Sequence, residues 1–237
     1  MTETAKTAVV VGVGPGLGAA LARRFAREGY AVALMARGMD KLTPVQDEIL
    51  ASGGKAASFI CDASDAASVA QAFAGARSEL GEIEVLIYNA GAFHFGGLMD
   101  LSPDQFHNAW KVNCMGAFLC AQQVLPYMTE AGKGSILLSS ATAALRGSAN
   151  FSCLAVGKFG LRALAQSMAR EFGPQGVHVA QVVIDGLIDT ERIRGMFPDA
   201  EVKLDPEAIA DSYWHLHQQH PSAWTLELDI RPNREKF

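Results

Sequence analysis

Residues 11–18 read VGVGPGLG, and they follow directly on a β-branched apolar run, TAVVVG (7–12). Gly12, Gly14, Gly16 and Gly18 at that spacing permit a tight turn and a close backbone approach. The N-terminus of the helix that follows offers free N–H groups and positive potential to a pyrophosphate. A glycine string alone is a weak signal; one placed between an N-terminal strand and a helix is much more specific. The stretch therefore predicts a dinucleotide-binding strand–turn–helix unit, with Gly12, Gly14, Gly16, Leu17 and Gly18 at the phosphates, against the plainer alternative of a structural turn.

Outward from this turn, apolar strand-like runs alternate with helical segments almost to the end of the chain. AVALMA (31–36), AASFICD (56–62), VLIYNAG (85–91), GSILLSS (134–140), GVHVAQVVIDG (176–186) and WTLELDI (224–230) read as strands. Helices are expected over 40–52 and 64–80, from about Pro103 to Met128, over 151–172, and over 205–219; Gly29 is a natural stop for the first helix. Continuous apolar strands alternating with helices mean a parallel sheet covered on both faces. The fold class is α/β, a Rossmann-type doubly wound parallel sheet forming a single domain over 1–237. The irregular stretch near 185–206, with Gly186, Gly195, Pro198 and Pro206, is a candidate lid over a cleft.

Hydrophobic residues make up 49% of the 237, enough for a sizeable core, and 20 basic against 25 acidic residues give a net charge of −5. That balance argues against nucleic acid and anionic membrane surfaces as partners. No basic segment precedes a long apolar core near the N-terminus, and no run of apolar residues reaches membrane-spanning length, so neither a signal peptide nor a membrane span is expected. Cys61, Cys114, Cys120 and Cys153 lie in apolar stretches without Cys-x-x-Cys spacing and read as reduced, core-packed thiols of a cytoplasmic protein.

At the end of the second strand, LMARGMDKL (34–42) has Arg37 where an acid would hold the ribose of NAD. Arg37 suits a 2′-phosphate and favours NADP(H), with NAD(H) the alternative; an exposed arginine of no cofactor role is the bland reading. Asp62 ends the third strand and suits an adenine edge, with an N-cap or turn acid before SDAAS the plainer alternative.

With Asn89-Ala90-Gly91 after the fourth strand, the chain resembles the short-chain dehydrogenase/reductase family, and the likeness covers nearly all of it. Its matching pieces are Gly12-x-x-x-Gly16-x-Gly18, Asn89-Ala90-Gly91, Asn113 in KVNCMGAF, Ser139-Ser140, Lys158 and DGLIDT (185–190), which stands for the usual Pro-Gly-x-x-x-Thr and brings Gly186 and Thr190 to the cofactor. The resemblance implies that Lys158 holds the nicotinamide ribose, that Ser140 binds the substrate oxygen, and that Asn113 anchors a water of the proton relay. It also implies a homodimer or homotetramer formed through the long central helices.

The family's proton-handling tyrosine is missing: its position, four residues before Lys158 on the same helical face, is Leu154. Ser140 lies 14 residues before Leu154, with Ser139 and Thr142 as alternatives; Val11 replaces the first motif's usual threonine, and Asp185 the expected proline. The departures gather at the reacting end of the site while the phosphate end is kept. Cys153 is turned about 100° from the face of Lys158 and reads as packing. His94 is better placed to exchange protons, though a histidine on a pocket wall is the plainer reading. In HLHQQH (215–220), His215 and His217 point to opposite sides of a helix, so a solvated face is expected and not a metal site. Lys158 interrupts an otherwise apolar stripe, so it needs a partner: ribose hydroxyls at a cleft, or solvent reached by snorkelling.

Two functions follow. One is an NADP-dependent oxidoreductase acting on a small-molecule carbonyl or alcohol, with altered proton handling. The other is a nicotinamide-nucleotide-binding protein without turnover, a sensor or a regulatory subunit.

Overall fold

The structure, a computed structural model, describes residues 6–234. The outermost residues of both termini, and with them parts of the N-terminal and RPNREKF readings, lie outside the described residues. In chain order the elements are β1 (Thr7–Val11), α1 (Leu17–Arg27), β2 (Ala31–Ala36), α2 (Met39–Ala51), β3 (Lys55–Ile60), α3 (Ala66–Leu80), β4 (Ile83–Tyr88), α4 (Pro103–Trp110), a π-helical turn (Lys111–Met115), α5 (Gly116–Ala131), β5 (Gly134–Ala141), α6 (Ser152–Phe172), β6 (Val177–Ile184), α7 (Glu191–Met196), α8 (Pro206–His217) and β7 (Glu227–Ile230).

The seven strands form one sheet in the order β3-β2-β1-β4-β5-β6-β7, with every pairing parallel. This is the predicted doubly wound sheet. Side chains alternate between its faces. Val10, Leu34 and Ile87 pack on one side with Leu21 and Phe25 of α1 and Tyr213 of α8. Val9, Met35 and Leu86 pack on the other with Phe73 of α3, Val124 of α5 and Leu161 of α6. Burial on both faces is why the strands read as unbroken apolar runs. Strand order reverses between β1 and β4. There the following loops part and leave a crevice at the carboxyl ends of the strands, the position where ligands bind in open α/β sheets.

Two corrections concern local structure. The expected helix from about Pro103 to Met128 is continuous through Ala131, but it widens to a π turn over Lys111–Met115. The Tyr88 phenol causes this: it donates to the Val112 carbonyl, so the Gly116 N–H bonds to Lys111 instead. A side chain inserted into the hydrogen-bond ladder is a recognised origin of such a bulge. The expected solvated face of HLHQQH holds for His215 but not for His217. The His217 ring accepts at Nδ1 from Ser135 Oγ (2.8 Å) and donates from Nε2 to Tyr30 (2.7 Å), whose phenol donates to Glu84 (3.0 Å). Burial lowers the His217 pKa to about 4, which keeps it neutral and acting as a packed linker between α8 and the amino ends of the strands.

The thiols are free; Cys61, Cys120 and Cys153 are buried and Cys114 half-buried. Among the described residues no helix is long and apolar enough to cross a membrane. The proposed lid segment carries α7 and a bridge between Ile188 and Leu204.

Candidate active site

The glycine turn and the Asn89-Ala90-Gly91 turn close on each other across the switch point. Asn89 donates its backbone N–H to Val11 (2.8 Å) and its side-chain amide to the Gly12 carbonyl (3.0 Å). Gly12 has φ +94°, and a Cβ there would lie 2.5 Å from the Ala90 nitrogen. Only glycine combines that dihedral with that contact. The turn is also covered from above: a Cβ on Gly16 would meet the Thr190 methyl at 2.5 Å. Thr190 caps α7, accepting from Ile193 N–H (3.2 Å).

Three connected cavities surround this point. The first, about 760 Å³, runs from Gly12 past Arg37 and Asp62 to Asn89, Gly91 and His94. The second, about 680 Å³, lies between the glycine turn, Gly12 to Gly18, and the segment from Asp189 to Gly195. The third, also about 680 Å³, is walled mainly by apolar side chains and includes Leu154, Phe151, Gly186 and Thr190.

The predicted residues fall unevenly around these spaces. Arg37 and Asp62 line the first cavity together. Asp62 is a turn acid, accepting from the Ser64 N–H (2.9 Å), and the helix cap is Asp65, which accepts from Ala67 and Ser68. Burial pushes the Asp62 carboxyl up, but the hydroxyl and N–H of Ser64, with the charges of Arg37 and Lys111, hold it below the usual carboxylate range. Asn113 sits in the π turn, fully buried; its amide donates to the Ala92 (2.7 Å) and Ala109 (2.9 Å) carbonyls. It thus fixes the chain just beyond Gly91.

Lys158 is buried one helical turn deeper than Leu154, so it does not snorkel to solvent. Its ammonium donates to the Ser139 carbonyl (2.8 Å), and burial lowers its pKa to about 8. Ser139 and Ser140 point to opposite sides of β5. Ser139 Oγ bonds the buried phenol of Tyr213 (2.7 Å), whereas Ser140 Oγ is buried without a partner and is not among the cleft-lining side chains. Thr142 does line the apolar cavity, and its hydroxyl donates to Asp185, which Arg231 faces at 3.6 Å. Cys153 is buried; His94 lines the first cavity and meets the Asn108 side chain at 3.3 Å. Sequence reasoning did not single out Arg192, which lines all three cavities, or Arg146. Surface arginines carry no sequence signature, and only the path of the loops brings these two to the site.

Tyr88 supports the site without entering it. Tyr88→Phe leaves the Val112 carbonyl without its donor, and an unmet buried carbonyl costs about 1–3 kcal/mol. Denaturant unfolding is expected to show a loss of that size; unchanged stability would mean the phenol does not hold the π turn.

A family model described as short chain dehydrogenase matches residues 6–201. A glycine betaine reductase from Emericella nidulans is 32% identical over 241 residues, covering 97% of this chain; the match spans only 19% of that much longer protein. The crystal structure of a short-chain dehydrogenase from Rhodopseudomonas palustris superposes with a TM-score of 0.85 at 36% identity, covering 97% of this chain and 99% of that one. A metagenomic short-chain oxidoreductase, solved in complex with NADP, superposes with a TM-score of 0.85 at 31% identity, covering 97% and 98%.

Proposed function

This chain belongs to the short-chain dehydrogenase family, and from that membership we propose that it is an NADP-dependent oxidoreductase acting on a carbonyl or alcohol by hydride transfer. The observation that carries the reading is the closure of Gly12 on Ala90, which leaves backbone where phosphates need close approach and opens the cleft onto Arg37. The residues fit a nicotinamide dinucleotide: Gly12 to Gly18 for the diphosphate, Arg37 for a 2′-phosphate, Asp62 for the adenine, and the Asn89-Ala90-Gly91 turn, Gly186 and Thr190 farther along. When bound, such a cofactor supplies or accepts the hydride. Lys158 is the ribose partner by family resemblance, and its bond to the Ser139 carbonyl ties it to the end of β5.

Proton handling is atypical because Leu154 stands where the tyrosine belongs. Of the hydroxyls considered at this end of β5, Thr142 is the one that lines the apolar cavity, with Asp185 fixing its direction. Because Thr142 gives its one hydroxyl hydrogen to Asp185, its oxygen can only accept from water, and the proton comes from water admitted by the open cleft. Leu154 also supports the second reading, a nucleotide-binding protein without turnover. A homodimer or homotetramer is supported by exposed Phe106, Trp110, Phe118, Val156 and Phe159 on α4, α5 and α6. A cytoplasmic protein is supported by the four free thiols.

Calorimetric titration tests the cofactor assignment. NADPH is expected to bind more tightly than NADH. Arg37→Asp is expected to weaken NADPH by at least about tenfold, the scale of one charged hydrogen-bonded pair, with a smaller effect on NADH. Equal losses refute the role of Arg37, and no heat with either nucleotide refutes the function.

A further inference from the structure

The apolar cavity contains an electrostatic imbalance. Phe93 and Phe151, with ring centroids 5.5 Å apart, and Met196 and Phe197 form much of its wall. Phe95 packs on both phenylalanines, at 6.3 and 5.4 Å, while remaining 63% exposed. Apolar surface left open around a concavity of this size marks a ligand site.

Two arginines and no carboxylate line this cavity: Arg146 and Arg192 are among its lining residues, and no aspartate or glutamate is. Among the described residues neither arginine's side chain has a hydrogen bond or ion pair. Five other arginines, Arg23, Arg24, Arg27, Arg162 and Arg194, hold carboxylates. The nearby acid, Asp185, lies behind Thr142 and is faced by Arg231. The two arginines differ in position. Arg192 also borders both cofactor cavities, so the diphosphate competes for it, whereas Arg146 borders the apolar cavity alone.

We infer that this cavity takes an amphipathic anion, a carbonyl compound or alcohol with an apolar body and a carboxylate, and that Arg146 reads the carboxylate. The planar guanidinium matches a carboxylate with two parallel hydrogen bonds, while the apolar wall holds the body of the ligand. The reacting carbonyl or alcohol rests on the oxidoreductase reading; the preference for an anion does not.

The test is calorimetric titration of the full chain with 4-phenylbutanoate and with 4-phenylbutanamide, which share an apolar body and differ in charge. The acid is expected to bind at least about tenfold more tightly, and Arg146→Gln to bring the two within about twofold by weakening the acid alone. Because the Arg146 side chain is exposed and makes no bond within the described chain, and the backbone N–H bond to Thr142 does not depend on it, its replacement leaves the fold intact. Equal binding of acid and amide, no binding of either, or an acid preference that survives Arg146→Gln overturns the inference. NADPH titrated into the same sample separates the two ideas: a failure there sinks the oxidoreductase reading and leaves the anion preference measurable.

Discussion

Gly12→Ala is expected to cost about 2–5 kcal/mol of stability and to weaken NADPH binding by more than tenfold. Two effects add at this one carbon. A φ of +94° is strained for any residue with a Cβ, at a cost of roughly 1–2 kcal/mol. The new methyl would also stand 2.5 Å from the Ala90 nitrogen and 2.6 Å from its Cα, backbone atoms just past the end of the ladder between β1 and β4. Overpacking against groups that cannot rotate away costs roughly 1–3 kcal/mol more. The sum is a large part of the 5–15 kcal/mol that holds a typical domain folded. Relief comes only by parting the two turns, which breaks the Asn89 bonds to Val11 and Gly12 and widens the cradle meant for the diphosphate. Gly14→Ala is the control. Nothing lies within 4 Å of a Cβ there, so stability should move by no more than about 0.5 kcal/mol. Yet Gly14 lines both nucleotide cavities, so its methyl should obstruct NADPH. Thermal unfolding and calorimetry on both variants check the pair. A Gly12→Ala protein that melts and binds like wild type would refute the closure.

How much of this was legible beforehand depends on the range of the interactions concerned. The sheet could be read because strands buried on both faces must be apolar at every position, and the phosphate turn because its glycines answer to local backbone geometry. Leu154 could be read because residues four apart share a helical face. The π turn could not, since its cause is a phenol reaching Val112 from 24 positions away in the chain. The environment of Ser140 was similarly hidden. Strand alternation puts Ser139 and Ser140 on opposite faces, but which one meets the cleft depends on how α6 and α8 pack against β5. His217 was misjudged because its helix face looks polar until Ser135, Tyr30 and Glu84 are brought to meet it. The residues at the cleft mouth, Arg146 and Arg192, belong to loops whose path no local pattern specifies.

Leu154→Tyr is expected to raise carbonyl reduction by about 10²-fold, the lower end of what a positioned general acid contributes. The new phenol has room, because Leu154 already faces a cavity of about 680 Å³ and is not fully enclosed. It would also have its electrostatic partner. Lys158 lies one helical turn away, and its ammonium favours an ionised neighbour. Burial has brought the Lys158 pKa to about 8, so the lysine itself loses charge as pH rises through that value. The gain should therefore be largest below about pH 8 and shrink above it. Binding of the nicotinamide and the substrate side by side does not depend on residue 154, and such positioning is worth roughly 7–11 kcal/mol in favourable cases. Wild type should accordingly retain slow turnover, most evident with activated carbonyls that need little help from an acid. Steady-state NADPH oxidation across a carbonyl panel, for both proteins over pH 6 to 9, decides the matter. Slow wild-type turnover with a pH-dependent gain supports an oxidoreductase that handles its proton by another route. Tight NADPH binding with no turnover by either protein refutes it and leaves a nucleotide-binding protein.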